Sequence, residues 1–298
     1  MFKGENHSEL VGMHGSLEMN TGMCVRELLE DFEIVSTINH MALIANQGFV
    51  DFRNNVYAAV LASSLRLASL DYTKRRYCNE EPDQQKNEVT RYIEAYKTAK
   101  THIHTVMSRL STEGKQPPSL GVFGASLVLE RLPSSFFSAH LLYRLGNEYD
   151  AHAVSRLILE QIAWAHCAYS CDNIKIIRTI VTTKTLSKLK NVFPECGRLY
   201  SFLSRKTHIS YSSHGEFLEV QRERNLVLLS HTNFYEYTFV ILTLADLFAV
   251  VWELTQLDYM NKLESIEIKN GFPAVVAGRP FQKVIQNHLK DFKEAANK

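Results

Sequence analysis

The sequence predicts an all-α fold, a multi-helix globular bundle with at most one small β-hairpin near 217–229. Three observations carry this. Apolar residues recur at i, i+3, i+4 spacing over most of the chain. Capping residues, Gly and Pro stand at the ends of those stretches. Alternating apolar and polar runs are almost absent.

Taken in order, residues 1–20 lack the apolar core of a secretion signal and read as a flexible N-terminus. Asn20-Thr21 then caps a helix through VRELLEDFEIVSTINHMALIANQ, stopped at Gly48. A second helix runs from about Val50 to Thr73, and a polar loop, KRRYCNEEPDQQ, follows. The next helix spans about Glu88 to Leu110 and is ended by Gly114 and Pro117-Pro118. Those prolines divide an N-terminal helical extension over 21–114 from a main helical domain over 119–298, unless 21–298 forms one domain. Gly121-Val122-Phe123-Gly124 reads as a loop at a helix start.

ASLVLERL forms a short helix, Pro133 breaks the chain, and a helix from Ser134 to Leu145 ends at Gly146. Another runs from about Tyr149 to Tyr169, with Asp150 as its cap. Asp172-Asn173 opens a helix through IKIIRTIVTTKTLSKLKNVF, stopped by Pro194, and a short helix covers about 195–205. Phe217–Val220 and Leu226–Leu229 flank a charged QRERN turn, the one expected hairpin. A core helix over 233–259, an irregular NGFPAVVAGRP loop and a terminal helix from about Phe281 complete the chain.

Within the core helix, Phe239 to Trp252 is nearly all apolar. Its fully apolar stretches fall short of the roughly 20 residues that cross a bilayer, and Asp246 in mid-segment is costly in lipid. A helix apolar on every side is otherwise buried in protein, so no membrane is expected.

Of 298 residues, 45% are hydrophobic and 22% charged, enough apolar material for a sizeable core. Lys and Arg number 33 against 32 Asp and Glu, so no overall field draws the chain onto nucleic acid. Three local basic groups stand out: Lys74-Arg75-Arg76 beside Tyr77, Lys184 to Lys190 including Lys188, and Arg222 with Arg224. Each reads first as solvated surface, although the first could meet a phosphate. The five cysteines lack CxxC pairing and read as reduced thiols in a cytoplasmic protein. Phosphate-loop, dinucleotide, nucleophile-elbow and HExxH signatures are absent, which removes most nucleotide-dependent enzymes. No cofactor is implied. Cys167, Cys171, His166, Cys196 and His208 lack the tight pairing of a Zn site, so no metal is expected. His102 and His104, two apart on a helix, point to different faces and carry little meaning.

Two constellations could carry chemistry. In AHAVSRLILEQIAWAHCAY, Arg156 and Glu160 are i, i+4 on a helix whose apolar residues occupy every side, which predicts a buried ion pair. They share a stripe with Ala153, Leu157, Ala163 and Cys167, and His152 and Tyr149 extend it. The pair is either a structural staple or the wall of a polar pocket. In LYSFLSRKTHISYSSHGEF, Ser204, Arg205, His208, Tyr211, Ser212, Ser213 and His214 crowd a helix end. They either cap that end or cleave RNA without metal, with His208 or His214 moving protons and Arg205 stabilising phosphorane charge.

The run from LLYRLGNEYDAHAVSRLILEQ through an RxxxE helix to a YxxLSxxxH segment resembles a bacterial helical family of unknown function. Arg156, Glu160, Ser204 and His208 carry the likeness, which covers about residues 135 to 215. More distantly it resembles the HEPN helical nucleases of toxin–antitoxin, abortive-infection and antiphage systems. Their Arg-to-His spacing is four to six residues, whereas two residues separate Arg205 from His208 and eight separate it from His214. The resemblance therefore bears on fold more than on activity. It implies a helical effector or accessory subunit of a prokaryotic stress or antiphage defence system, acting through protein contacts or a polar pocket. A protein partner or homo-oligomer is expected. The alternative is a HEPN-like metal-independent ribonuclease, with RNA as partner.

Overall fold

The computed structural model describes residue 30 and residues 32–36, 41–45, 50–77, 84–111, 113–208, 218–221, 225–228 and 233–296. The fold is all-α. Contacts divide the chain into two compact units, Met1–Asp83 and Gln84–Lys298.

In the first unit, β1 (Phe32–Ser36) pairs antiparallel with β2 (Met41–Ala45), Phe32 facing Ala45 and Ser36 facing Met41. The sequence reading had one helix here. Ile34 and Val35 in β1 and Ile44 in β2 explain the difference, because β-branched side chains lose χ1 freedom in a helix and suit a pleated strand. The expected helix start at residues 20–29 and its stop at Gly48 lie outside the described residues. α1 (Val50–Leu65) packs on this hairpin. The helix expected to reach Thr73 breaks at Arg66, which takes a left-handed φ of 53°. The Ser69 hydroxyl then accepts the Tyr72 N–H at 3.2 Å and starts α2 (Leu70–Tyr77), so Lys74-Arg75-Arg76 form a helix end and not a loop.

The second unit begins with α3 (Gln84–Met107), so this helix groups with the main unit and not with the extension expected up to residue 114. α4 (Leu120–Arg144) is a single helix that carries Pro133 in its interior. The break expected there is overridden by packing. Ala125, Leu129, Leu132, Phe136, Ala139 and Tyr143 form one buried stripe across the proline. A proline costs a helix interior about 3 kcal/mol, while each large apolar side chain buried contributes about 1.5–3 kcal/mol. The GxxG motif lies in the first turns of this helix.

α5 (Glu148–Ala168) returns antiparallel on α4 through a tight turn. Gly146, at φ 75°, donates to the Tyr143 carbonyl at 3.2 Å, and Asn147 donates to that of Leu142 at 2.9 Å. This is the glycine-terminated helix end that the sequence signals. Asn147 occupies the N-cap, with Asp150 in the first turn. Beyond it the expected helix from Asp172 is split into α6 (Ile174–Ile177) and α7 (Thr182–Val192). α8 (Cys196–Thr207) follows.

β3 (Leu218–Gln221) and β4 (Asn225–Leu228) form the expected hairpin. α9 (Phe234–Thr255) is the central helix, buried from Val240 to Thr255 and packed by α3, α4, α5 and α10 (Pro280–Ala296). It is the one described helix long and apolar enough to cross a membrane, and nearly all of it lies inside the protein. Asp246, on its buried surface, accepts two hydrogen bonds from Arg279, one of them Nε to Oδ1 at 2.7 Å. The stretch expected as irregular, 270–280, carries the turn and second strand of a third hairpin, β5 (Ile266–Lys269) with β6 (Phe272–Val275). Asn270 and Gly271, at φ 53° and 81°, make its turn, the Asn-Gly signal of a two-residue hairpin. Glu253 of α9 holds this hairpin by accepting backbone N–H bonds from Glu264, Ser265 and Ile266.

Candidate functional site

A polar seam runs between α5 and α8, and its geometry follows from helical periodicity. Glu148, His152, Arg156 and Glu160 stand four residues apart and so follow one face of α5. Tyr200, Ser204 and Thr207 follow one face of α8. The helices lie antiparallel, because Tyr149 reaches Thr207, whose carbonyl accepts its hydroxyl at 2.6 Å, while Arg156 reaches back to Tyr200.

Arg156 organises one end. Its Nε donates to Glu160 Oε1 at 2.9 Å, Nη2 to the Tyr200 hydroxyl at 3.0 Å, and Nη1 to Thr207 Oγ1 at 3.5 Å. Its guanidinium carbon also lies 5.1 Å from the Tyr200 ring centroid, within cation–π range. Partial burial works against its charge, but the hydrogen bond and charge of Glu160 more than offset this and raise the pKa. The ion pair forms as expected, but it is not buried. The Arg156 and Glu160 side chains are 31% and 21% exposed. The expectation failed because α5 is not covered on every side. Ala163 and Cys167 are buried, whereas Ala153 and Leu157 on the same stripe face solvent. Ser204 lies between Tyr200 and Thr207, its hydroxyl oxygen shielded from solvent and without a hydrogen-bond partner.

The other end is more deeply buried. His152 is fully buried; its Nε2 lies 3.2 Å from Glu148 Oε1, and its Nδ1 lies 2.9 Å from the Tyr143 hydroxyl. That hydroxyl lies 3.1 Å from Ser155 Oγ. The Lys206 ammonium bridges Glu148 at 3.4 Å and Glu236, from the first turn of α9, at 3.5 Å. Burial pushes the Glu148 carboxyl up, but the His152 hydrogen bond and the Lys206 charge bring it below the ordinary value. The Tyr237 hydroxyl is pushed up by burial and by the neighbouring Glu148 carboxylate.

Arg205 and His208 are both exposed at the end of α8, where His208 is the C-cap, and no hydrogen bond joins their side chains. His214, Tyr211, Ser212 and Ser213 lie outside the described residues, as do Arg222 and Arg224. The Cys171 thiol donates to the Cys167 carbonyl, and the Cys167 thiol donates to that of Thr185 at 3.8 Å. Burial pushes the Cys196 thiol up to about 11.

The sequence reading therefore named Arg156, Glu160, His152 and Ser204, but missed Glu148, Glu236, Lys206, Tyr143 and Tyr200 as members of the seam. Glu148 and His152 had a local signal, the i, i+4 spacing of a carboxylate and an imidazole on one helix. Glu236 had none, since only the tertiary fold brings α9 to α5. Compared with protein-family models, curated proteins and solved structures, the chain matches none.

Proposed function

We propose that this chain is a cytoplasmic helical effector or accessory subunit of a prokaryotic stress or antiphage defence system, and that the α5–α8 seam recognises its partner. One observation carries the reading. The Arg156 guanidinium is fixed by Glu160, Tyr200 and Thr207, yet stays about one-third exposed. A staple that serves only stability gains little from such exposure, because an open ion pair contributes roughly 0–1 kcal/mol. A pre-oriented, water-accessible guanidinium is suited to binding a carboxylate or phosphate on a partner. The resemblance supports the same residues, since Arg156, Glu160 and Ser204 line this seam.

Arg156→Ala and Glu160→Gln test this. Both variants keep the helical circular-dichroism spectrum and lose phage protection, or the growth effect of expression, in the native host. Variants as active as the parent would remove the seam from the function. One observation favours the rival ribonuclease, which uses Arg205 with His208 or His214: Arg205 on the last turn of α8 and His208 at its C-cap are both exposed. RNA cleavage lost in His208→Ala but kept in Arg156→Ala would favour that rival.

A further inference from the structure

The buried end of the seam holds a group of metal-ligating side chains that the proposed recognition role does not use. One ligand atom each from Glu148, His152 and Glu236 lie within 4.8 Å of one another. Glu148 and His152 are one helical turn apart on α5, and Glu236 enters from the first turn of α9. We propose that these three residues bind a first-row divalent transition cation of the Zn²⁺ type, and that Lys206 is the resident cation such an ion displaces.

Four features argue for it. First, the 3.2 Å between Glu148 Oε1 and His152 Nε2 suits two ligands of one ion. Ligand atoms about 2.1 Å from a tetrahedral centre lie about 3.4 Å apart. The Glu236 side chain is 29% exposed and sits at the rim, so it can close the remaining distance by rotation.

Second, the histidine is already oriented as a ligand. Its other nitrogen, Nδ1, lies 2.9 Å from the Tyr143 hydroxyl, which leads on to Ser155, and all three residues are fully buried. An imidazole that binds metal through one nitrogen is typically held through the other by such an outer partner. In the bound form Nδ1–H donates to Tyr143 and Nε2 faces the ion.

Third, Glu236 Oε2 is shielded from solvent and has no hydrogen-bond partner among the described residues, and the Lys206 ammonium lies 3.5 Å away. The lysine contacts of 3.4 and 3.5 Å are long beside the roughly 2.7–2.9 Å of a strong charge-assisted bond. Lys206 thus balances the carboxylates at long range and leaves Glu236 Oε2 without a hydrogen bond. Two carboxylates and one ammonium sum to −1, whereas a dication in place of the ammonium brings the group to zero. The lysine side chain is 26% exposed, which leaves it a route to water.

Fourth, the donor set selects the class of ion. One imidazole with two carboxylates suits Zn²⁺ and its first-row neighbours, whereas Ca²⁺ and Mg²⁺ favour all-oxygen sites.

Chelator-treated chain titrated with Co²⁺ at pH 7 is the test, read by visible absorption and by metal content per chain. The parent is expected to bind one Co²⁺ with the absorption of a low-coordinate ion. Glu236→Gln is expected to weaken binding about tenfold or more, and Lys206→Met, which removes the competing charge, to strengthen it. Both positions are partly exposed, so the variants are expected to fold, and circular dichroism checks this. A parent chain that takes up no Co²⁺ overturns the proposal. So does binding that Glu236→Gln and Lys206→Met leave unchanged, because the ion then sits elsewhere. Neither result depends on the defence reading, whose tests use Arg156 and Glu160.

Discussion

His102 has an environment that its local sequence does not signal. On α3 its ring stacks on Phe281 of α10, centroids 3.7 Å apart and planes 6° from parallel. Burial, aided by the charge of Arg109, lowers its pKa from 6.5 to about 4. The folded state therefore resists a proton that the unfolded chain accepts. The stability this represents is present above pH 6.5 and is lost as pH falls from 6.5 towards 4. A shift of that size corresponds to at most about 3 kcal/mol. Urea denaturation between pH 7 and 4 should show the parent losing stability more steeply than His102→Phe, which keeps the stack and does not titrate. Equal slopes would show that His102 titrates normally. The spacing of His102 and His104 correctly separates their faces, and His104 is exposed. It could not reveal that a phenylalanine near the far end of the chain covers one of them.

At the scale of elements, the α4–α5 hairpin sets the seam, since it places Tyr143 beside His152. At Gly121 the two run close together, and an added Cβ would fall under 3.0 Å from the carbonyl oxygens of Ala168, Cys171 and Tyr169. Gly124 meets only the edge of Trp164, at 3.9 Å. Gly121→Ala should thus destabilise by about 1–3 kcal/mol or more, because backbone cannot step aside. Gly124→Ala should be neutral or add up to about 1 kcal/mol through helix propensity. Thermal melts of the two variants compare them directly, and equal melting temperatures would refute the tight crossing. Sequence alone read these glycines as a loop, because local preference shows that a position tolerates Gly but not what crosses it. The same limit applies to Pro133, where a long buried stripe prevails over a local breaker. The 266–275 hairpin is a different case, because its Asn270-Gly271 pair is itself a sequence signal for a two-residue turn.

For the whole molecule, the helical plan and the central helix α9 were legible from periodicity, and the Arg156–Glu160 pair from its spacing. The exposure of that pair was not, since it depends on which faces of α5 the neighbouring helices leave open. The group of Glu148, His152 and Glu236 was hidden for a related reason, because it is assembled across α5 and α9. Two ion pairs of the second unit differ in kind. Asp246 and Arg279 are 2% and 4% exposed and tie the chain before α10 to the core. Arg156 and Glu160 are only partly buried on the seam. Removing one partner of a buried pair costs about 3–5 kcal/mol, and of an exposed pair well under that, about 0–1 kcal/mol. The most direct test of the seam as a working surface is a thermal unfolding comparison of the parent, Glu160→Ala and Asp246→Ala at pH 7. Glu160→Ala should melt within about 4 °C of the parent while losing function, and Asp246→Ala should melt far lower or fail to fold. A Glu160→Ala protein that falls as far as Asp246→Ala would show that the pair is a structural staple and contradict the account.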